Sequence, residues 1–431
     1  MKQLSTRVTA FALLGALALT ATACGKRNGG DAAPGEEAKS FSYTSTWGKD
    51  EPQAKIFQAA LADFTAQTGI KADVKWMGRN GTDTLATEMA AGRGPDLFDT
   101  ATDNMAKFRA QNLLAPVDDV LTAKIPGEDR TVGEVLSTAA KQASSDEKGL
   151  ALIPHTVIST GVWFDATRHP ELAGRPPRTW DEFLAYLDKA KKAGRTPLGQ
   201  DGTVPFYNAY WFYSALVRAQ GAGSLYALGT DAGAWDRPEV LAAARQVEKL
   251  AAGGYFQKSF MATKYPAAQD RFATGGYDLN INGTWLTSEI KPKLPAGARI
   301  DSFQYPAGGK NSVEAGALGW GVNAKGRHPG AAKKFLAFFQ QKKYTARIGT
   351  EALNIPSRSD VPAPENLTGL QKAITGATAV HKPYDGAPGL NAWWTDVFLP
   401  LDDKLLGGKL SAEEFVARGR QKSATFIASN G

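Results

Sequence analysis

The chain has 431 residues, of which 43% are hydrophobic, with 50 Lys and Arg against 43 Asp and Glu. A formal net charge of +7 is mild for this length and does not require a nucleic-acid partner. A chain of this size can bury one or two sizeable hydrophobic cores, and after residue 20 it has no apolar stretch long enough for a membrane helix.

The N-terminus has the features of an export signal. Lys2 and Arg7 precede an apolar run over Val8–Thr20, and small residues lead from there to Cys24. Cys24 is the only cysteine of the chain and resembles the lipid-modified cysteine of bacterial lipoproteins, although Ala21 stands where such proteins usually carry Leu. We predict a signal peptide over residues 1–23 and a lipid anchor at Cys24. The alternative is an unmodified cysteine beside an ordinary signal.

Residues 24–39 are small and polar, which predicts a flexible, lipid-anchored linker in front of a folded body. That body has no cysteine, so it can hold neither disulfides nor a cysteine-ligated metal. Its stability must therefore come from its hydrophobic core.

The folded part begins near Ser40 with strands and helices in alternation. Period-two patterns and short apolar runs predict strands over residues 41–47, 70–76 and 95–100. Apolar side chains at helical spacing predict helices over residues 52–67 and 82–92, with a third starting at Asp103. This β-α-β-α-β order is typical of a parallel, doubly wound α/β sheet.

Sheets of this kind bind ligands beyond the carboxyl ends of their strands. Trp47 ends the first of the three predicted strands, and Arg79 and Asp103 follow the other two. The sequence therefore predicts that these side chains meet at a ligand site.

A second region begins near Leu152. Thr179 and Glu182 form a capping-box pattern, which predicts a helix that starts there. Apolar runs predict further strands over residues 157–164, 277–281 and 315–323. Helical spacing predicts helices over residues 207–220, 239–252, 267–274, 330–341 and 411–426, the last of them interrupted by Gly419.

The sequence lacks the common patterns of catalytic and metal sites. None of the four histidines has a partner at helical metal-site spacing: His155, His169, His328 and His381. A nucleophile elbow, a P-loop and a dinucleotide fingerprint are also absent. Carboxylate neighbours such as Asp99 and Asp103 are more often solvated or capping groups than a glycosidase pair. We expect no metal, no cofactor and no enzymatic activity.

Aromatic residues make up 10% of the chain, and ten of them are Trp. Those in predicted loops or at strand ends are Trp47, Tyr207, Trp285, Trp320, Trp393 and Trp394. Each alone is more often part of a core, but beside Arg79, Asp103 and Asn282 they favour a sugar-binding cleft. Sugar rings stack their C–H faces on indole, and their hydroxyls suit carboxylates, amides and guanidinium groups. Tyr210 and Trp211, near Tyr207 on one helical face, either extend this wall or pack in the core.

Several stretches resemble one known family, and they occur in the same order. They are Gly94–Leu97, Asn112–Asp118, Pro177–Phe183, Asn280–Trp285 and Gly319–Ala324. On these stretches the chain resembles the extracellular solute-binding proteins of bacterial ABC importers, specifically the carbohydrate-binding family 1 that includes maltose-binding protein. The resemblance covers most of residues 41–430, and Asn280–Trp285 is its most specific stretch.

The resemblance implies an α/β, two-lobed periplasmic-binding-protein-like fold with a hinge and a central ligand cleft. The N-lobe would comprise residues 40–152 and 315–354, and the C-lobe would comprise residues 153–314 and 355–431. The chain would pass between the lobes near residues 150–154, 312–316 and 353–356.

The resemblance also implies roles for single residues. Those that would contact sugar are Asp103, Tyr207, Trp285 and either Trp393 or Trp394. Trp47 and Arg79 are placed at the matching cleft edge by their position alone. Ile158 stands near the place where maltose binders carry a glutamate, which indicates a sugar other than maltose.

By this resemblance the protein would be a monomer, lipid-anchored on the extracellular face of the cell membrane. It would capture a sugar, in particular an oligosaccharide, and deliver it to the membrane subunits of an ABC permease. Three alternatives stay open at this point. They are an exported carbohydrate-active enzyme, a surface adhesion or sensing module, and a receptor for another solute such as a polyamine, with Asp99 and Asp103 among its carboxylates.

Overall fold

The structure is a computed structural model that describes residues 38–78, 82–306, 309–310 and 312–430. Cys24, the predicted signal peptide, most of the predicted linker and Arg79 lie outside these ranges. The chain from Ala38 onwards forms one compact unit. In its described part, none of the helices combines the length and the apolar character needed to cross a membrane.

Strands β1 to β14 have these bounds in chain order: Ser40–Ser45, Lys71–Trp76, Leu97–Ala101, Ser145–Asp146, Gly149–Leu150, Ile153–Ile158, Thr160–Asp165, Leu198–Gly199, Leu279–Gly283, Ile300–Phe303, Ser312–Glu314, Gly316–Val322, Ile355–Pro356 and Ala379–His381. Helices α1 to α18 have these bounds: Pro52–Thr68, Thr82–Ala90, Met105–Ala110, Asp118–Thr122, Val132–Val135, Thr138–Ala143, Pro170–Gly174, Trp180–Lys192, Pro205–Gln220, Ser224–Thr230, Pro238–Ala252, Ala267–Ala273, Leu286–Ile290, Pro329–Phe339, Lys342–Thr350, Thr368–Thr375, Leu399–Leu406 and Ala412–Asn430. A 3-10 turn spans Thr102–Asn104, and an irregular segment of partly 3-10 conformation spans Pro383–Gly389.

The first three strands confirm the predicted parallel arrangement. β1 pairs in parallel with β2 on one side and with β3 on the other. α1 buries Phe57 and Phe64 on its apolar face and ends at Gly69, as the helical spacing indicates. Gly69 has a φ of 73°, a left-handed conformation that glycine adopts without steric cost.

The N-lobe is built on a six-stranded sheet with the order β13-β6-β12-β3-β1-β2. β6 lies between β12 and β13 and pairs with both in antiparallel fashion. Ile153–Ile158 and Ile355–Pro356, expected in the C-lobe, therefore belong to the N-lobe sheet. The lobe boundaries are corrected accordingly, to positions after Ile158 and after Pro356.

The C-lobe is built on a four-stranded sheet with the order β10-β7-β9-β8. The single strand predicted over residues 157–164 is wrong, because β6 and β7 belong to different sheets and Ser159 separates them. The Ser159 hydroxyl donates to the backbone carbonyl of Glu314 at 2.6 Å, and the Thr160 hydroxyl donates to its carboxylate at 2.5 Å. These bonds join two of the places where the chain passes between the lobes.

Each lobe has its own hydrophobic core. Phe41, Trp320 and Phe335 are buried together in the N-lobe, whereas α9, α11, α17 and α18 pack around the C-lobe core. Gly419 allows α18 to approach that core, because a Cβ atom there would lie 2.3 Å from the ring of Trp235. The glycine inside the predicted C-terminal helix thus has a packing role.

Candidate functional site

A cavity of about 600 Å³ lies between the two lobes, and we call it the aromatic chamber. Its aromatic lining residues are Trp47, Phe206, Tyr210, Trp285 and Tyr384. Its carboxylates come from Glu51, Asp103, Glu289 and Glu314. The described residues that line it include no Lys, Arg or His. The chamber thus combines flat apolar surfaces with hydrogen-bond acceptors.

Trp47 reaches the chamber from the turn that follows β1. Asp99 on β3 accepts the backbone N–H of Thr46 at 2.9 Å and the hydroxyl of Tyr43 at 2.5 Å. The backbone N–H of Trp47 donates to the Ser45 hydroxyl at 3.2 Å, which fixes the turn further. Asp99 is 2% exposed and does not line the chamber, so its interpretation as a solute-binding carboxylate is wrong. Burial raises the pKa of Asp99, and the hydrogen bonds counter that rise.

Asp103 lies in the 3-10 turn Thr102–Asn104 directly after β3. The Thr102 hydroxyl accepts the backbone N–H of Ala317 at 3.1 Å, which ties this turn to β12. The Asp103 side chain is exposed and lines the edge of the chamber. Partial desolvation by the surrounding protein raises the pKa of Asp103, and backbone hydrogen bonds counter that rise. Asp103 therefore offers acceptor oxygens at the N-lobe edge of the chamber.

Trp285 forms part of the opposite wall, between β9 and α13. A Cβ atom built on Gly283 would lie 2.2 Å from the Trp285 ring, so the indole lies directly over the glycine backbone. The ring is half-buried and contributes to the chamber wall. Glu289, one turn further on, accepts the Tyr265 hydroxyl at 3.0 Å and the Gln269 amide at 2.9 Å. These contacts hold the side chains of Trp285 and Glu289 in place on the C-lobe wall.

The rest of this wall is a cluster of aromatic rings on α9 and on the segment after β14. Tyr210 stacks on Tyr384 with ring centroids 5.1 Å apart and planes at 14°. Phe206 meets Tyr384 edge-on at 5.9 Å, and Tyr207 stacks on Tyr210 at 6.1 Å. Burial raises the pKa of Tyr207 to about 12, and a side-chain interaction with Trp285 counters that rise. Tyr207 thus supports the wall from beside Tyr210 and Trp285.

Trp47, Asp103 and Trp285 are the predicted ligand contacts that the structure brings together in the chamber, and Tyr210 lines it with them. Asn282 is not among them. It is 1% exposed, and its amide donates to Gln269 at 3.3 Å and to Asn280 at 3.2 Å. We therefore remove Asn282 from the candidate ligand contacts.

The prediction that Trp320 and Trp393 contact the ligand is also wrong, because both side chains are 0% exposed in the lobe cores. The indole N–H of Trp320 donates to the Tyr43 hydroxyl at 3.1 Å, and that of Trp393 to the Ser423 hydroxyl at 2.8 Å. Trp394 is 1% exposed and lies behind the wall, with its ring 5.2 Å from that of Tyr384. Neither member of the Trp393–Trp394 pair faces the chamber. Trp211, which is 0% exposed, is likewise a core residue.

Phe206, Tyr384 and Glu314 line the chamber although the sequence did not single them out. Phe206 opens the aromatic-rich helix α9, and its place next to Tyr207 is a signal that could have found it. Tyr384 lies in an irregular segment with a φ of 49°, and Glu314 lies where the chain passes between lobes. Neither position follows from periodicity.

The described residues contain no group of three or more His, Cys, Asp or Glu side chains placed to hold a metal ion. Glu314 is instead held by neutral donors, the hydroxyls of Thr160 and of Tyr213, the latter at 2.8 Å. Burial raises the pKa of Glu314, and these hydrogen bonds counter that rise.

A family model described as "Bacterial extracellular solute-binding protein" matches residues 48–346. A multiple sugar-binding protein of Streptococcus mutans is 25% identical over 197 residues, which cover 43% of this chain and 46% of that protein. The diacetylchitobiose binding protein NgcE of Streptomyces coelicolor is 22% identical over 280 residues, covering 62% and 59%. A maltotriose-binding protein of Pyrococcus abyssi is 23% identical over 354 residues, covering 78% and 72%.

Solved structures share the fold. A chitin oligosaccharide binding protein has a TM-score of 0.72 at 21% identity, covering 91% of this chain and 99% of that one. A cyclo/maltodextrin-binding protein complexed with maltotetraose has a TM-score of 0.68 at 18% identity, covering 92% and 98%. The matches confirm the α/β fold with two lobes and a central cleft.

Proposed function

The chain belongs to the family of bacterial extracellular solute-binding proteins, and on that premise we propose that it captures a sugar between its lobes for an ABC importer. The observation that carries the proposal is the aromatic chamber, which faces rings and carboxylates of both lobes toward one space. Indole and phenol rings can stack on the C–H faces of a sugar, and carboxylates accept its hydroxyls. The relatives support a sugar as the ligand, since they are named as binding proteins for several saccharides.

Capture would work by closure of the two lobes. Trp47 and Asp103 belong to the N-lobe wall, and Trp285 and Tyr210 belong to the C-lobe wall. A sugar that contacts both walls is bound more tightly when the lobes are close, so it shifts the population toward the closed form. Delivery requires release, so we expect a Kd of roughly micromolar, which corresponds to about −8 kcal/mol. Binding without turnover is part of this proposal.

We also propose that Cys24 carries a lipid and that residues 24–39 link it to the binding unit. A tethered monomer would stay near its permease at a high effective concentration. A single acyl chain gives only marginal membrane binding, so the anchor would need more than one chain. Mass analysis of the mature N-terminus tests this. A first residue other than a lipid-modified Cys24 would refute the anchor and leave the sugar proposal in place.

A cationic solute is the second candidate. Four carboxylates line the aromatic chamber, and its described lining residues offer no basic side chain to neutralise them. A polyamine could pair with the carboxylates and place its ammonium groups on the aromatic rings. Such a ligand would show a strong dependence of affinity on salt, whereas a neutral sugar would not.

Thermal unfolding and calorimetry with a panel of solutes test both candidates. The panel holds glucose, galactose, raffinose, maltooligosaccharides, chitooligosaccharides, xylooligosaccharides and spermidine. A ligand at 100 times its Kd should stabilise the protein by about 2.7 kcal/mol. Stabilisation by spermidine alone would replace the sugar proposal. Release of shorter products from a bound oligosaccharide over hours would instead indicate an enzyme.

A further inference from the structure

Glu314 lines both the aromatic chamber and a much smaller cavity of about 20 Å³, which we call the rear cavity. Thr160 and Tyr213 line the rear cavity but not the aromatic chamber. A space of this size holds about one water molecule, so it is too small for a sugar. Any contact between Glu314 and a ligand must therefore be made from the side of the aromatic chamber.

Hydrogen-bond donors outside the aromatic chamber hold the Glu314 carboxylate in one orientation. The Thr160 hydroxyl donates to Oε1 at 2.5 Å, and the Tyr213 hydroxyl donates to Oε2 at 2.8 Å. A backbone hydrogen bond from Tyr384 also stabilises the charged form of this carboxylate. The two oxygens of a carboxylate offer about four acceptor positions, so these three donors leave about one position open. Glu314 thus keeps the capacity to accept one further hydrogen bond.

The same carboxylate lies where the chain passes between the lobes. Thr160 opens the C-lobe strand β7, two residues after the N-lobe strand β6 ends at Ile158. Glu314 ends β11, two residues before the N-lobe strand β12 begins at Gly316. When two lobes rotate about a hinge, groups near the axis move least. The position of Glu314 at the base of the chamber therefore changes little as the lobes close.

We infer that Glu314 is a ligand contact that accepts one saccharide hydroxyl, and that Tyr213 is a positioning residue that acts on the ligand only through Glu314. This inference rests on the proposed function. An ionised carboxylate accepts but does not donate, so Glu314 requires a ligand group that donates. Hydrogen bonds to an ionised acceptor are roughly twice as strong as those between neutral groups. Because Tyr213 does not line the aromatic chamber, its effect on binding passes through the carboxylate that it holds.

Four variants test this chain of contacts. Tyr213→Phe removes one donor to Glu314 and keeps the ring in the core. Tyr305→Phe is the matched control, because Tyr305 is also a buried tyrosine of the C-lobe, but its hydroxyl donates to Gln246 at 3.3 Å and it does not line the aromatic chamber. Glu314→Gln removes the charge and keeps the shape of the side chain. The double variant Tyr213→Phe, Glu314→Gln completes a double-mutant cycle.

Calorimetry measures the affinity of each variant for glucose, galactose, raffinose and the malto-, chito- and xylooligosaccharides, and urea unfolding without ligand measures its stability. For a saccharide that binds wild type, Glu314→Gln should lose about tenfold in affinity and Tyr213→Phe about fivefold. Tyr305→Phe should stay within about twofold of wild type. In the Glu314→Gln background, Tyr213→Phe should change the affinity by less than about twofold, because the carboxylate through which it acts is gone.

An equal loss from Tyr213→Phe in both backgrounds would show that Tyr213 acts without Glu314 and would overturn the inference. Wild-type affinity in Tyr213→Phe would overturn it as well, and so would equal losses in Tyr213→Phe and Tyr305→Phe. The comparison of these two variants involves no change at Glu314, so it holds even if Glu314→Gln does not fold. If wild type binds a saccharide and these losses are missing, the inference fails while the proposed function stands. If no saccharide binds wild type, the proposed function fails and the inference fails with it.

Discussion

Two tryptophan substitutions should separate ligand binding from stability. Trp285 is half-buried in the chamber wall, whereas Trp393 is 0% exposed, donates to Ser423 and stacks on Phe398 at 5.4 Å. Trp285→Ala removes a stacking surface and should weaken saccharide binding by about 2 kcal/mol or more, which is about thirtyfold in Kd. Trp393→Ala leaves a cavity in the C-lobe core and should lower the free energy of unfolding by about 3–5 kcal/mol.

Calorimetry with the saccharide that stabilises wild type most, and denaturant unfolding without ligand, measure the two effects. Trp285→Ala should unfold close to wild type, and folded Trp393→Ala should bind close to wild type. Wild-type affinity in Trp285→Ala would remove Trp285 from the site. Wild-type stability in Trp393→Ala would contradict its place in the core.

Three further changes test the chamber wall, the C-lobe core and the segment Pro383–Gly389. In Gly283→Ala the new methyl group would lie 2.2 Å from the Trp285 ring and would displace the indole. Saccharide affinity, measured by calorimetry, should therefore fall by about tenfold. Asp402 is fully buried, neither of its oxygens has a partner in the described structure, and burial raises its pKa well above the usual value. The contribution of Asp402 to stability should therefore become more unfavourable as the pH rises above about 4. Asp402→Asn should be about 1–3 kcal/mol more stable than wild type at pH 7 and differ little from it at pH 3.5, as urea unfolding measures. A Cβ atom built on Gly389 would lie 3.8 Å from the Cβ atom of Ala106. The mean Cβ–Cβ distance in disulfides is about 3.8 Å, so the double variant Ala106→Cys, Gly389→Cys should form a disulfide readily. The oxidised form should release a bound saccharide about tenfold more slowly than the reduced form, because the disulfide ties the segment Pro383–Gly389 to the N-lobe. Stopped-flow fluorescence measures the release rate.

Clear outcomes would contradict each of these expectations. Unchanged affinity in Gly283→Ala would mean that the indole position does not matter for binding. An equal stability difference between Asp402→Asn and wild type at both pH values would exclude titration of this carboxyl as the cause. The disulfide experiment is done with Cys24→Ser in both forms. Equal release rates would show that the segment Pro383–Gly389 need not leave the N-lobe for the ligand to exit.

Periodicity predicted the local elements well. The β-α-β-α-β order near Ser40 and the capping box at Thr179 depend on neighbouring residues, and the structure confirms both. The sheet to which a strand belongs depends instead on distant partners. For that reason β6 and β7 read as one strand in the sequence, although Ser159 separates them into two sheets.

The candidate site could be predicted only in part. Trp47, Asp103 and Trp285 follow strands, and strand ends collect at the cleft of an α/β fold. Trp320 and Trp393 look similar in sequence, but their burial is set by helices that pack over them from elsewhere in the chain. Tyr384 reaches the chamber because Asp385 anchors an irregular segment to α10, which no local pattern reveals.

A saccharide should bind between the two lobes, in contact with both walls of the aromatic chamber. A crystal structure of the protein with the saccharide that stabilises it most tests this claim directly. We expect a sugar ring stacked on Trp285 of the C-lobe, with a hydroxyl donated to Asp103 of the N-lobe in the same complex. A saccharide that contacts only one lobe, or that lies outside the chamber, would contradict the account.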